Sequence, residues 1–379
     1  MRIAFFTTTR ADFGIISSFI KEVSNDDFFE YVLFVGGTHL KNEFGKTINE
    51  IEQTGLDITD TFDYLQEGDS SYTLALSSGY CTIEVANLFR KYEFDIICLL
   101  GDRYELIPIV LNAILFNKPI IHWGGGELTE GVIDNQIRNM VTKAAQVHFV
   151  AAQPYADNII NMGEDKNRVF VTGSPVIDTF KQFTPIPKGE LFKQVGLDIN
   201  SPVVLLTYHP VTIEFDITPL QQIKNIFEAL AKFSYQIVVT SPNLENDRDI
   251  IVEYIQEQNQ ANSNIHYFNS LGIKRYHSLI PYCSFLIGNS SSGIFEAPYF
   301  RVPTIDIGDR QKGRYKHPSI IETGYEVDSI VKGINIAVTD EFRKQLDNMK
   351  YEFGDGNASA KSIEILKSIT INQKLIRKR

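Results

Sequence analysis

Short apolar runs, separated by stretches of helical periodicity, limit what this chain can become more than any other feature. In the first half they fall at Ile3–Phe6, Tyr31–Val35, Asp95–Leu100, Pro119–His122, Val147–Ala151 and Val169–Thr172. The second half has Val203–Thr207, Gln236–Thr240, Ile265–Phe268, Phe285–Ile287 and Thr304–Ile307. Runs this short, closing on Gly, Ser, Asp or His, are those of parallel strands buried on both faces. Between them, Ile15, Ile16, Phe19, Ile20 and Val23 mark one face of a helix, as do Ile223, Ile226, Leu230 and Phe233. Alternating strands and helices predict doubly wound α/β sheets. A length of 379 residues is too great for one core and suggests two domains. Pro185, Pro187, Gly189, Gly196 and Pro202 punctuate the segment from Phe180 to Pro202, which marks the junction. Two Rossmann-like domains facing across a cleft are therefore expected, with ligands beyond the carboxyl ends of the strands.

Composition narrows the partners. An apolar content of 43% and a charged content of 22% are ordinary for a soluble globular protein. The net charge of −11 argues against a nucleic-acid surface or an anionic membrane. An anionic ligand would need a local basic or dipolar site. Cys81, Cys98 and Cys283 are few, far apart and set among apolar residues, as in a reduced cytoplasmic protein. The run Ile3–Phe6 is too short for a signal peptide or a membrane span.

The strongest local signal is Gly288-Asn289-Ser290-Ser291-Ser292-Gly293-Ile294-Phe295-Glu296, directly after an apolar run. A strand, a small-residue turn and a helix start form an anion site, because the first helical N–H groups lack internal partners and the dipole adds positive charge. Ser290 and Ser291 can add hydroxyl donors, and Glu296, a turn further on, can accept from a diol such as ribose. A serine-capped helix without a ligand is the alternative.

Other strand ends carry polar residues as well. Thr9-Arg10-Ala11-Asp12 follows the first strand, and Arg10 can reach a phosphate or a nucleoside across the cleft, or lie in a surface loop. Gly36-Gly37-Thr38-His39 ends the second, with His39 either a donor to a ligand hydroxyl or a satisfied loop histidine. Asp102 follows Gly101 at a strand tip beside Arg103, a cation that would keep it ionised while burial opposes this. Capping of the next helix is its alternative role. His122-Trp123-Gly124-Gly125-Gly126-Glu127 leaves room for a substrate ring against bare backbone, with Glu127 at its edge. Asp134 and Arg138 stand at i,i+4, on one face of a helix. Asp102, Glu127 and Asp134 are thus expected to converge, and closely placed carboxylates split their pKa values into an acid and a base. In the second half, His209 can act as acid, base or phosphate donor, Asn243 can bind ligand hydroxyls, and Arg310 lies in a basic turn near the expected phosphate site. Neither a Cys/His set at metal spacing nor a Gly-x-Ser-x-Gly elbow is present, which disfavours metal and serine-nucleophile chemistry.

In order along the chain, Thr9-Arg10-Ala11-Asp12, Gly37-Thr38-His39, Gly101-Asp102-Arg103, Gly125-Gly126-Glu127, Ile137-Arg138, His209-Pro210, Gly288-Asn289-Ser290-Ser291 and Gly308-Asp309-Arg310-Gln311 resemble the motifs of the hydrolysing UDP-N-acetylglucosamine 2-epimerases of sialic-acid biosynthesis. That resemblance implies the GT-B fold, with a first domain at 1–178, a second at 179–359 and a helix in 360–379 returning to the first. It implies no metal and no nicotinamide cofactor, and a homo-oligomer. By the same carry-over, Ser290 and Ser291 hold the diphosphate with Arg310, Arg10 and Arg103. Glu296 grips the ribose, backbone near Leu271 reads the uracil, Asp102 and Asp134 are catalytic, and His209 lies near the sugar–phosphate bond. The implied reaction is anti elimination of UDP to 2-acetamidoglucal, followed by addition of water at C1 and return of a proton to C2. N-acetylmannosamine and UDP result. Many relatives carry an acid two residues after the histidine of His-Ile-Glu-Gly-Gly-Glu, where this chain has Gly124. The His-Val-Glu-Ala-Gly-Leu-Arg stretch of the non-hydrolysing enzymes is missing. Rival readings are the same chemistry on UDP- or GDP-linked diacetylbacillosamine, a GT-B glycosyltransferase, and a nucleotide-sugar binder without catalysis.

Overall fold

The computed structural model describes residues 1–379 except 69, 130, 131, 182, 212–216, 243–246 and 379. The chain divides into two compact units. The first comprises Met1–Glu127, Asp134–Gln182 and Glu352–Arg379, the second Leu128–Ile133 and Phe183–Tyr351.

The first unit is built on a seven-stranded parallel sheet: β1 (Arg2–Thr7), β2 (Glu30–Gly36), β3 (Asp60–Phe62), β4 (Ile96–Leu100), β5 (Ile120–Trp123), β6 (Val147–Val150) and β7 (Val169–Val171). Their order is β3-β2-β1-β4-β5-β6-β7, so the direction of winding reverses between β1 and β4. Ligands gather at such a reversal, outside the carboxyl ends of the two strands. Ile3 and Phe5 on β1, Trp123 on β5 and Phe149 on β6 pack with Phe19 and Ile20 of the helix Arg10–Ser24. The last stretch of chain closes this unit. Both carboxylate oxygens of Asp178 accept from the start of the helix Ala358–Ser368, at Ala358 N (2.8 Å) and Ser359 N (2.6 Å). Further on, Lys378 pairs at 2.7 Å with the buried Glu164.

The second unit has a six-stranded parallel sheet: β8 (Val203–Thr207), β9 (Gln236–Thr240), β10 (Ile265–Phe268), β11 (Cys283–Gly288), β12 (Thr304–Ile307) and β13 (Ile320–Thr323). The order β10-β9-β8-β11-β12-β13 reverses between β8 and β11. Its central strands are apolar on both faces, with Leu206 and Phe285 in one packed layer and Leu205 and Leu286 in the other.

Every run expected to be a strand is one, with ends shifted by no more than a few residues. Two strands escape a reading by apolar runs, β3 and β13. Both are edge strands, and Asp-Thr-Phe and Ile-Ile-Glu-Thr mix polar residues into segments that need to be dry on one side only. Of the expected helix face, Ile15 is only partly buried and Phe13 replaces it in the core.

Candidate functional site

At the carboxyl end of β1 the chain turns through Thr7, Thr8 and Thr9 into the helix Arg10–Ser24. Asp12 organises this turn: its carboxylate accepts from Thr8 N (3.1 Å), Thr9 N (2.9 Å) and the threonine hydroxyls, while Thr9 caps the helix in return. Arg10 is the first residue of that helix and only partly exposed. His39 is fully buried, its Nε2 at 2.9 Å from the Thr7 hydroxyl and its Nδ1 at 2.8 Å from that of Thr47. Burial pushes its pKa down, outweighing the nearby Asp12. Both ring nitrogens thus have partners within the first unit.

Asp102 follows β4. The helix Leu106–Leu115 begins beyond it, with Glu105 at the capping position, so Asp102 is not that helix's cap. Arg103 pairs with Glu105, with Nη2 at 3.0 Å from Oε1, and Arg138 forms an ion pair with Asp102. Local sequence suggested Arg103 because it is adjacent; the buried arginine Arg138 arrives from another element. Arg138 is fully buried on the helix Asp134–Ala144. One guanidinium arm donates to the Asp102 carboxylate, and the other to the Glu127 carbonyl at 2.8 Å and the Asn135 side chain at 3.4 Å. Such a planar fork can hold two segments at once where a lysine cannot. Arg138 therefore ties the turn bearing Asp102 to the one bearing Glu127, at the start of the helix that Asp134 opens.

Of the glycines before Glu127, Gly125 and Gly126 answer to packing. A side chain at Gly125 would begin 2.9 Å from the Thr142 hydroxyl and 3.0 Å from His122 Nδ1. At Gly124 a Cβ would stand 4.0 Å from Glu127 Oε1, so the Glu127 carboxylate borders the space that the missing side chain leaves.

In the second unit, β8 runs into Tyr208 and His209, and β11 into the serine turn. Gly288 joins them closely, since a Cβ there would fall 2.0 Å from the Thr207 carbonyl oxygen. Asn289 then grips the backbone of His209 from both sides: its Oδ1 accepts from His209 N at 2.7 Å and its Nδ2 donates to His209 O at 2.9 Å. Its own carbonyl receives Arg310 Nη1 at 3.2 Å and Gln311 Nε2 at 2.7 Å. Ser290 and Ser291 thus sit on a turn fixed from three elements, at the start of the helix Ser292–Tyr299. Glu296, one turn on, accepts from the Ser292 hydroxyl at 2.7 Å and faces His277 Nε2 at 3.4 Å. Burial would raise its pKa, but the His277 ring and Ser292 outweigh it and hold the carboxyl below its ordinary value. Tyr276 donates to Ser292 at 2.8 Å. Leu271 is buried ahead of the helix Gly272–Leu279, and its carbonyl is taken by Arg275 Nε at 2.7 Å. Asn243 lies outside the described residues.

The structure thus gathers two sets. Asp102, Glu127 and the start of the Asp134 helix meet through Arg138 in one unit. His209, Ser290, Ser291 and Arg310 meet through Asn289 in the other. Sequence reasoning passed over His122, Thr142, His277 and Asn289. The signal for Thr142 was its place four residues after Arg138, on the same helical face.

Comparison with known proteins gives a consistent result. The sequence profile of a family described as UDP-N-acetylglucosamine 2-epimerase matches residues 21–367. A GDP/UDP-N,N'-diacetylbacillosamine 2-epimerase (hydrolyzing) of Campylobacter jejuni is 32% identical over 345 residues, 90% of this chain and 89% of that protein. A UDP-N-acetylglucosamine 2-epimerase of Neisseria meningitidis is 30% identical over 336 residues, 89% of this chain and 87% of that one. Among solved structures, a UDP-GlcNAc 2-epimerase from Neisseria meningitidis bound to UDP-GlcNAc matches with a TM-score of 0.81 at 18% identity, covering 97% of this chain and 100% of that chain. At that identity the likeness speaks for the fold, GT-B, alone.

Proposed function

The chain belongs to the UDP-N-acetylglucosamine 2-epimerase family, and from that premise we propose that it is a hydrolysing 2-epimerase converting UDP-N-acetylglucosamine to N-acetylmannosamine and UDP through 2-acetamidoglucal. The observation that carries the reading is the Asp102 carboxylate at the winding reversal of the first sheet, held by a fully buried arginine. In this reading the C1–O bond to UDP breaks first, because the C2 proton is too weakly acidic to leave from the neutral sugar. Nearby carboxylates stabilise the oxocarbenium-like state and one of them takes the C2 proton. Asp102 and Asp134 supply two of these groups. Glu127, beside the empty place at Gly124, stands in for the acid that many relatives carry there. The departing diphosphate goes to Ser290, Ser291 and the helix start, with Arg310 as counter-charge, and Glu296 takes the ribose. His209, fixed through its backbone, donates to the leaving oxygen.

A second reading has the same chemistry on UDP- or GDP-linked diacetylbacillosamine, and the Campylobacter jejuni relative at 32% identity favours it. Incubation with each nucleotide sugar in heavy water, followed by proton NMR, separates the possibilities. Hydrolysing epimerisation gives free UDP and a 2-epimeric sugar deuterated at C2, from the preferred substrate. Release of a sugar that keeps its C2 proton would overturn the reading in favour of a transferase or simple hydrolase.

We further propose that the working form is a dimer of this chain. The helix Ser71–Lys91 buries Cys81, Val85 and Leu88 yet presents Tyr72, Tyr80 and Ile83 to solvent, and the helix Leu106–Leu115 contains no charged residue and exposes Leu111, Ile114 and Leu115. A helix apolar on both sides belongs in an interior. Together these side chains form an exposed apolar patch of the kind that marks an interface between protein chains. Sedimentation of the native protein should give a dimer and of Ile114→Asp/Leu115→Lys a folded monomer; a native monomer would overturn this. Among the described residues, no helix is long and apolar enough to cross a membrane. The three cysteines are unpaired and buried, which supports a reducing, cytoplasmic setting.

A further inference from the structure

Beneath the Asp102 turn lies a polar pair that the proposed reaction does not use. His122, on β5, is fully buried, as is Thr142 on the helix Asp134–Ala144. His122 Nε2 lies 2.8 Å from the carbonyl oxygen of Gly101, and its Nδ1 lies 3.2 Å from the Thr142 hydroxyl. A carbonyl oxygen can only accept, so Nε2 must carry the hydrogen. Nδ1 of the neutral ring is then bare and accepts a hydrogen bond from the Thr142 hydroxyl. The two contacts thus select one tautomer and fix the plane of the ring.

The residue so held is the one before Asp102. Gly101 is held on both sides: its N–H, in the peptide from Leu100, donates to the Trp123 carbonyl at 2.9 Å, and its C=O, in the peptide to Asp102, receives His122. Gly125 leaves the space that the pair occupies. Burial drives the His122 pKa down to about 3 despite the Gly101 carbonyl, so the ring stays neutral wherever the protein works. A neutral ring is unsuited to exchanging protons in the reaction but well suited to holding a peptide.

We infer that His122, oriented by Thr142, is a positioning residue that fixes the Gly101–Asp102 peptide and thereby aims the Asp102 carboxylate. Arg138 holds the carboxylate end of this residue, and His122 its backbone. Neither suffices alone, because a side chain pivots about whichever end is loose. The inference rests on reading Asp102 as a catalytic carboxylate, but the hydrogen-bond assignment beneath it does not.

Two measurements test it. The first is activity-independent: ¹⁵N NMR of histidine-labelled protein should show His122 as the Nε2–H tautomer, unchanged from pH 8 to pH 5. Protonation within that range, or the opposite tautomer, would overturn the inference whatever the substrate proves to be. The second compares His122→Gln, whose amide nitrogen can reach the Gly101 carbonyl, with His122→Leu, which fills the space without a donor. His122→Leu should lower kcat roughly 100-fold with KM nearly unchanged, the cost expected of a small misplacement of a reacting group. His122→Gln should recover most of that loss, at a pH profile superimposable on the native one, and both should melt close to the native temperature. Equal activity in the two variants, or losses that follow the melting temperature, would leave His122 an ordinary core residue and overturn the inference. If the native protein turns over no nucleotide sugar while the NMR assignment holds, it is the proposed reaction that has failed.

Discussion

Two turns in this molecule share an architecture and differ in what holds them. The Asp102 turn follows β4 and the serine turn follows β11, each at the place where its sheet reverses its winding. Around Asp102 the fastening comes from buried charged and aromatic side chains, Arg138 and His122. Around Ser290 it comes mainly from amides that bind backbone, Asn289 on His209 and Gln311 on the Asn289 carbonyl, with Arg310 beside Gln311 and a glycine that lets two strands approach. The contrast matches the chemistry proposed for each. Bond breaking at carbon needs one carboxylate aimed within fractions of an ångström, and rigid side chains are the means of aiming it. Grasping a diphosphate needs many converging N–H and O–H donors, each of modest value, which backbone supplies.

If that contrast is right, damage to the first turn should fall on kcat and damage to the second on binding. The largest effect belongs to Asp102→Asn. Steady-state kinetics should show kcat lowered roughly 1,000-fold, with the affinity for UDP by calorimetry unchanged. Next comes Arg138→Lys, which cannot serve Asp102 and the Glu127 carbonyl together. It should cost kcat roughly 100-fold and about 3 kcal/mol in urea unfolding, because breaking a buried pair strands a charge. Native kinetics in either variant would erase the distinction between the turns.

How much of this could be read from the residues differs between the two turns for the same reason. The serine turn is contiguous: strand, Gly288, Ser290, Ser291 and helix follow one another, so local rules suffice. The Asp102 turn is assembled from β4, β5 and the helix Asp134–Ala144, and only the sheet order brings these together. Sequence adjacency thus pointed to Arg103 beside Asp102 and could not point to Arg138, which reaches it from a distant helix. His39 shows the limit from another side. Nothing in Gly37-Thr38-His39 reveals that Thr7 and Thr47 occupy both ring nitrogens, since each lies on a different element. The strands were legible wherever burial on both faces made them apolar throughout, and edge strands such as β3 were not.

The second turn offers the milder effects. Arg310→Ala should raise the UDP dissociation constant roughly tenfold, the value of one charge-assisted hydrogen bond, and leave kcat within error. Gln311 still holds the Asn289 carbonyl, so the turn should survive the loss. A fall in kcat with unchanged binding would make Arg310 part of the chemistry and blur the comparison.

Smallest is a pH effect at Glu296. Its carboxyl is held below the ordinary value of 4.5, so the charged form persists where a free glutamate would begin to protonate. Because the folded pKa is depressed, whatever the carboxylate contributes is complete above the ordinary value and fades only as pH falls through the lower one. The difference in UDP affinity between the native protein and Glu296→Gln, which cancels the protonation of the terminal phosphate of UDP near pH 6, should therefore stay level from pH 8 down to the ordinary carboxyl range. His277→Gln removes the ring that faces Glu296 at 3.4 Å, so its carboxyl should rise and the loss of affinity should begin at higher pH. A decline in both proteins at the same pH would mean that the ribose contact does not pass through Glu296.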